Sequence, residues 1–178
     1  MTQLPARRTQ FVGDAQYRGD AEALLRRPGD YALVHRGLLR SVVMACPDGC
    51  GETVVINLDP RAGKAWRLDR RGEGPTLYPS VWKEHGCKAH FVVWRGFIVW
   101  CERFEKGNVL PPYDQALEVL VLAALSDNAS VTAEEVALRI DELVYDVDRA
   151  ARTLAHKGLA KIHRYGNEVK FARREYSG

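Results

Sequence analysis

The hydrophobic pattern changes period once along the chain, at Pro111-Pro112. Before that point, apolar positions alternate with polar ones over short runs, the two-residue period of half-buried strands. Tyr31 to His35 and Leu38 to Ala45 alternate around Arg36-Gly37 and predict a hairpin. Thr53 to Leu58, Ala65 to Leu68 and Thr76 to Trp82 predict further strands, separated by turns rich in Gly, Pro and Asp. His90 to Trp94 and Phe97 to Cys101 flank Arg95-Gly96, and a two-residue loop sets their register, with Trp94 opposite Phe97 and His90 opposite Cys101. Upstream, Asp20 to Arg27 reads as a short helix with Asp20 as its N-cap and Pro28-Gly29 as its stop, and Met1 to Gln16 as a loose polar arm.

Beyond Pro112 the period is helical. Asp114 to Leu125 carries Leu117, Leu120, Val121 and Ala124 on one stripe. Thr132-Ala-Glu-Glu135 is a capping box opening a second helix, with Val136 and Ile140 inward. A third helix runs from Val144 to His156 and stops at Gly158, where a left-handed glycine belongs. Strands Leu159–Tyr165 and Glu168–Arg173 close around Gly166-Asn167. Three helices and a hairpin predict a winged helix-turn-helix. The fold class is therefore α+β: an N-terminal arm and short helix (1–29), a small β-rich zinc-binding domain (30–108), and a C-terminal winged helix-turn-helix domain (112–178).

The zinc expectation comes from the cysteines. All four lie between positions 46 and 101. Cys46-Pro-Asp-Gly-Cys50-Gly is a knuckle, and Cys87-Lys-Ala-His90 supplies a second pair. Zinc takes thiolate and imidazole ligands in paired turns of this kind, so Cys46, Cys50, Cys87 and His90 are the expected Zn2+ ligands. Cys101, opposite His90 across the hairpin, is the reserve fourth ligand. A closed shell of this type suits a structural metal, while an open position would make it catalytic. Chemistry without catalytic metal has two candidates: Ser80 as nucleophile with His85 or His90 as base, or a Cys101–His90 pair.

Charge and hydropathy narrow the partners. The chain carries no apolar run of the roughly 20 residues that cross a bilayer, and its first residues lack the apolar core of a signal peptide, so a reducing cytoplasm is expected. Nine basic against eleven acidic residues give −2 for 112–178, whereas 17 against 12 give +5 for 1–111. Asp141, Glu142, Asp146 and Asp148 sit where a recognition helix would meet DNA phosphates. That disfavours DNA and favours a protein partner for the winged helix.

The motifs between residues 30 and 101 resemble an uncharacterised bacterial domain family. The resemblance rests on Cys46, Cys50 and Gly51, on Trp66-Arg67-Leu68, on Thr76-Leu77, Pro79 and Ser80, on Cys87, His90 and Phe91, and on Trp100. Some members resemble accessory proteins of bacterial ubiquitin-like conjugation pathways, with a peptidase role in processing or releasing the modifier. The resemblance implies a peptidase-like accessory protein acting on a ubiquitin-like protein or beside its conjugation enzymes. In that reading Ser80 or a metal-activated water attacks, and His90 or a carboxylate such as Glu52 moves the proton. Ala89 replaces the family's usual Ser before the His, and the family tolerates Ala at the position of Cys101. The alternative is a non-catalytic zinc-stabilised binding module or transcriptional regulator.

Overall fold

The computed structural model describes residues 3–102 and 104–174. The extreme ends of the expected arm (Met1, Thr2) and of the expected C-terminal domain (175–178) lie outside them. The chain packs as two compact units that divide between Pro111 and Pro112.

The first unit is built from two four-stranded sheets. The first sheet holds β1 (Gln10–Ala15), β2 (Asp30–Arg36), β3 (Leu38–Ala45) and β4 (Thr53–Asn57), in that order, with helix α1 (Arg18–Leu24) between β1 and β2 in sequence. β1 runs parallel to β2, and the other pairs are antiparallel. The second sheet is an antiparallel meander of β5 (Arg67–Asp69), β6 (Thr76–Trp82), β7 (His90–Trp94) and β8 (Phe97–Trp100). One core joins them: Leu33, Met44 and Ile56 from the first sheet pack in the same buried cluster as Leu77, Phe91 and Ile98 from the second. A smaller cluster of Ala21, Ala32, Val34 and Val43 seats α1 on the first sheet. The β7–β8 register follows the two-residue loop, from Trp94↔Phe97 to Phe91↔Trp100.

Residues 3–29 differ from expectation. The segment read as an irregular arm contributes β1, and its first residues hold two parts of the unit together. The Gln3 and Ala6 amides donate to the carbonyls of Gly49 and Pro47, while the Arg7 carbonyl accepts from the Ile98 amide and the Thr9 amide donates to Gly96. These bonds use backbone groups, which is why a polar sequence without alternation concealed them. Gly49 is required by this contact: its φ is +83°, and a Cβ there would lie 2.1 Å from the Gln3 carbonyl oxygen. α1 begins two residues before Asp20, which sits in its first turn instead of capping it. The far edge of β8 is closed by a side chain, since Asn108 accepts from the Trp100 amide through Oδ1 and donates from Nδ2 to the Trp100 carbonyl, both at 2.8 Å.

The second unit holds α2 (Leu117–Ala124), β9 (Val131–Thr132), α3 (Ala133–Ile140), α4 (Val144–His156), β10 (Ala160–Tyr165) and β11 (Glu168–Arg173). Its sheet has the order β10-β11-β9, and Leu117, Val121, Val136, Val147, Leu154 and Phe171 form its core. The capping box is present, with the Thr132 hydroxyl accepting from the Glu135 amide and the Glu135 carboxylate accepting from the Thr132 amide. α2 starts three residues later than the apolar stripe predicts. Asp114 instead accepts the Ala116 amide through its side chain, a local turn that competes with helix. Glu118 is buried on α2, where it accepts from the Tyr113 hydroxyl at 2.8 Å and from Lys157 at 2.6 Å.

In the first unit Asp59, after β4, is the main buried carboxylate anchor. It accepts from the Arg61 amide and guanidinium and from Arg40. The hydrogen bond from Arg61 holds the Asp59 carboxyl at about 2, against an ordinary value of about 3.9. A depressed folded-state pKa stabilises the fold above the unfolded value and loses that stabilisation as pH falls through the folded one. Wild-type protein should therefore shed this contribution between about pH 4 and pH 2. Asp59→Asn should be less stable at neutral pH and should show a flatter stability profile across that window in urea melts.

Candidate functional site

Two groups of chemically active side chains lie in the first unit, one on loops of both sheets and one on the second sheet. The first is a thiol cluster. Among the described residues, Cys46, Asp48, Cys50 and Cys87 each place a ligand-capable atom within 4.8 Å of the others. The knuckle between β3 and β4 supplies the first three: the Cys46 amide donates to Glu52, and the Gly49 amide donates back to the Cys46 carbonyl. The loop between β6 and β7 supplies Cys87. The Cys46 and Cys87 sulfurs are 3.6 Å apart. That is too long for a disulfide and close to the roughly 3.8 Å edge of a tetrahedron with 2.3 Å zinc–sulfur bonds.

The electrostatics of the cluster show what a metal would have to overcome. Burial pushes the Cys46 thiol far above its ordinary value and raises Cys50 to about 11. Burial would also raise Asp48, but hydrogen bonds from the Cys50 thiol and amide outweigh it and leave the carboxyl below its usual value. Lys83 pairs with Glu52 beside the cluster and also donates to the His85 carbonyl. This places one cation next to groups that become thiolates when metal binds. The donor set of three sulfurs and a carboxylate fits a borderline-soft divalent metal. When bound, such a metal would cross-link two loops of the unit through Cys46, Cys50 and Cys87.

The second group is a serine–histidine pair. Ser80 lies on β6 and His90 opens β7. Pairing of Val81 with Phe91 and Trp82 with His90 sets the strands side by side. Between Leu77 and Val81 four residues of β6 advance against two of β7, from Val93 to Phe91. An irregularity of this kind bends a strand and re-aims its side chains. It brings Ser80 Oγ to 3.1 Å from His90 Nε2. His90 Nδ1 lies 3.4 Å from a carboxylate oxygen of Glu102, and Glu102 is exposed to solvent. The Cys101 amide donates to the His90 carbonyl, so the residue after Cys101 is within reach of the imidazole.

Of the residues expected to hold metal, the structure brings Cys46, Cys50 and Cys87 together and sends His90 elsewhere. Both imidazole nitrogens are engaged, one by Ser80 and one by Glu102. The fourth member of the cluster is Asp48, which the spacing argument did not identify. Cys101 sits beside His90 as the hairpin register requires. It is not part of the cluster, and burial raises its thiol. Ser80 and His90, the expected catalytic pair, are in hydrogen-bond contact, whereas Glu102 was missed. The signal was available: a register that puts Cys101 opposite His90 also puts its neighbour within side-chain reach.

Residues 18–101 match the family model described as bacterial ubiquitination-like system serine protease (BubE). The match spans just under half of the chain. It takes in Ser80, His90 and all four cysteines and ends one residue before Glu102. No curated protein and no solved structure matches the chain. No helix among the described residues is long and apolar enough to cross a membrane.

The geometry makes a metal test decisive. A zinc ion held by this cluster should be lost in Cys87→Ser, measured by elemental analysis, and kept in His90→Ala and Cys101→Ser. With the thiols of Cys46 and Cys50 protonated at neutral pH, zinc titration should release protons, and apparent affinity should rise with pH.

Proposed function

We propose that the first unit is a serine peptidase of a bacterial ubiquitin-like modification system, held in shape by a structural zinc on the thiol cluster. The observation that carries this reading is the 3.1 Å contact between Ser80 Oγ and His90 Nε2 on the outer face of the second sheet. With His90 protonated at Nδ1, toward Glu102, the Nε2 lone pair faces the serine hydroxyl, the arrangement a general base requires. Ser80 Oγ then attacks the scissile carbonyl as His90 takes its proton. The same proton passes to the departing amine as the acyl–Ser80 ester forms. Water, deprotonated by His90, hydrolyses the ester and releases the new carboxylate. Glu102 fixes the imidazole tautomer and stabilises the imidazolium. Its exposure makes that contribution smaller than a buried carboxylate's. The family match over residues 18–101 supports this assignment. The thiol cluster acts through shape, because a shell rich in thiolates quenches Lewis acidity. Abundant free cysteines suit a reducing cytoplasm.

The second unit has the element order of a winged helix, and we read it as a protein-contact module. Four of its cations are engaged internally: Arg152 with Asp148, Lys157 with Glu118, Lys170 with Glu168 and Arg173 with Asp127. Val119, Leu120 and Leu138 are exposed apolar side chains on its helices. The full chain should not retard a random-sequence DNA duplex in gel-shift assays at physiological salt.

The peptidase reading is tested on cleavage of a ubiquitin-like modifier precursor or conjugate. Ser80→Ala should lower kcat/KM by roughly 10³-fold or more, and His90→Ala by about 10²–10⁴-fold. Glu102→Gln should cost on the order of 10-fold, mostly in kcat. Unchanged cleavage by Ser80→Ala would end the serine mechanism.

A further inference from the structure

We infer that the substrate segment preceding the scissile bond binds by strand addition to the free edge of β6 at Trp82. This rests on the Ser80–His90 reading and adds the mode of substrate recognition to it. The two edges of the second sheet are treated differently. On the outer side of β8, Arg8 bridges Phe97, the Arg7 carbonyl accepts from Ile98, and the Asn108 amide pairs with both backbone groups of Trp100. Closing an edge in this way prevents pairing with other chains. On the opposite side β5 pairs with β6 only from Thr76 to Tyr78. The rest of β6, including the nucleophile, continues beyond the end of β5.

Backbone direction shows which groups face that opening. The Lys83 amide donates to the Ala89 carbonyl, toward β7. Strand groups alternate sides, so the N–H and C=O of Trp82 point away from β7, to the side where β5 has ended. At Ser80 the same side is filled, because the Trp66 indole N–H donates to the Ser80 carbonyl at 3.2 Å. A chain pairing at Trp82 therefore meets the indole at Ser80 and must rise out of the sheet plane there. It rises onto the face that carries Ser80 Oγ and His90, since Ser80 and Trp82 flank the buried Val81 and share the outer face. Trp82 is 63% exposed and its ring centroid lies 6.1 Å from that of His90. It offers an apolar surface beside the dyad to the side chain carried in by the added strand. An occupant fitting this edge is an extended polypeptide recognised through its main chain, as a flexible tail would be.

The test uses the full-length protein and two phosphonates with the same warhead. One is an acetyl-alanyl diphenyl phosphonate, which needs only the dyad, and the other an acetyl-penta-alanyl diphenyl phosphonate, which adds backbone. Ser80 labelling is followed by intact mass. The longer probe should react at least 10-fold faster. Moving a single N-methyl group along it should cut the rate back at one position, the amide that meets the Trp82 carbonyl, and leave the others unchanged. Hydrogen exchange of the Trp82 amide should slow in the long adduct and not in the short one. Equal rates for the two probes, no N-methyl position that slows the longer one, or an unprotected Trp82 amide would each overturn strand addition while the serine reading stands. Failure of both phosphonates to label Ser80 would remove the serine reading and this inference together.

Discussion

A metal bound by the three sulfurs gathered from two loops would be the constraint on which the first unit depends. The knuckle carrying Cys46 and Cys50 joins β3 to β4 in the first sheet, and the loop carrying Cys87 joins β6 to β7 in the second. Apolar packing between the sheets fixes their separation but only weakly fixes their lateral slide, because hydrophobic contact is non-directional. A metal on these sulfurs would remove that freedom at one end. His90 follows Cys87 by three residues, and the Lys83–Ala89 hydrogen bond closes the loop between β6 and β7. The same metal would pin the junction of the two strands between which the Ser80–His90 distance is set.

Much of this was legible in the chain. A two-residue loop determines its hairpin, so the β7–β8 register needed only Arg95-Gly96. The three cysteines follow from the tightness of the turns around them. His90 shows where spacing runs out. Cys-x2-His serves equally well for two ligands on one turn and for a loop cysteine followed by a strand histidine. As the first residue of β7, paired with Trp82, His90 points with the outer face of the sheet toward Ser80. Glu102 was legible only through the hairpin, since its side chain crosses to a neighbour twelve positions away that the β7–β8 register brings close. The N-terminal segment carried no signal because its partners, Gly49 and Gly96, are met through main-chain atoms.

The second unit reads more directly from sequence where local chemistry decides. The Thr132–Glu135 box and the positive φ of Gly158 are both short-range requirements, and both are present. Its less legible features are long-range. Glu118 occupies a helix position that a periodic reading leaves in solvent, yet Tyr113 and Lys157 bury it. β9, two residues long, is defined wholly by its pairing with Lys170 and Phe171.

The amide of Asn108 has a consequence for how the molecule ages. It works as a one-residue strand because one end donates and the other accepts. Spontaneous deamidation would keep the acceptor for the Trp100 amide and replace the donor with a carboxylate oxygen facing the Trp100 carbonyl, turning attraction into repulsion. Trp100 lies directly before Cys101 and Glu102, so this slow chemical lesion, invisible to the genome, would loosen the end of β8 from which Glu102 reaches His90.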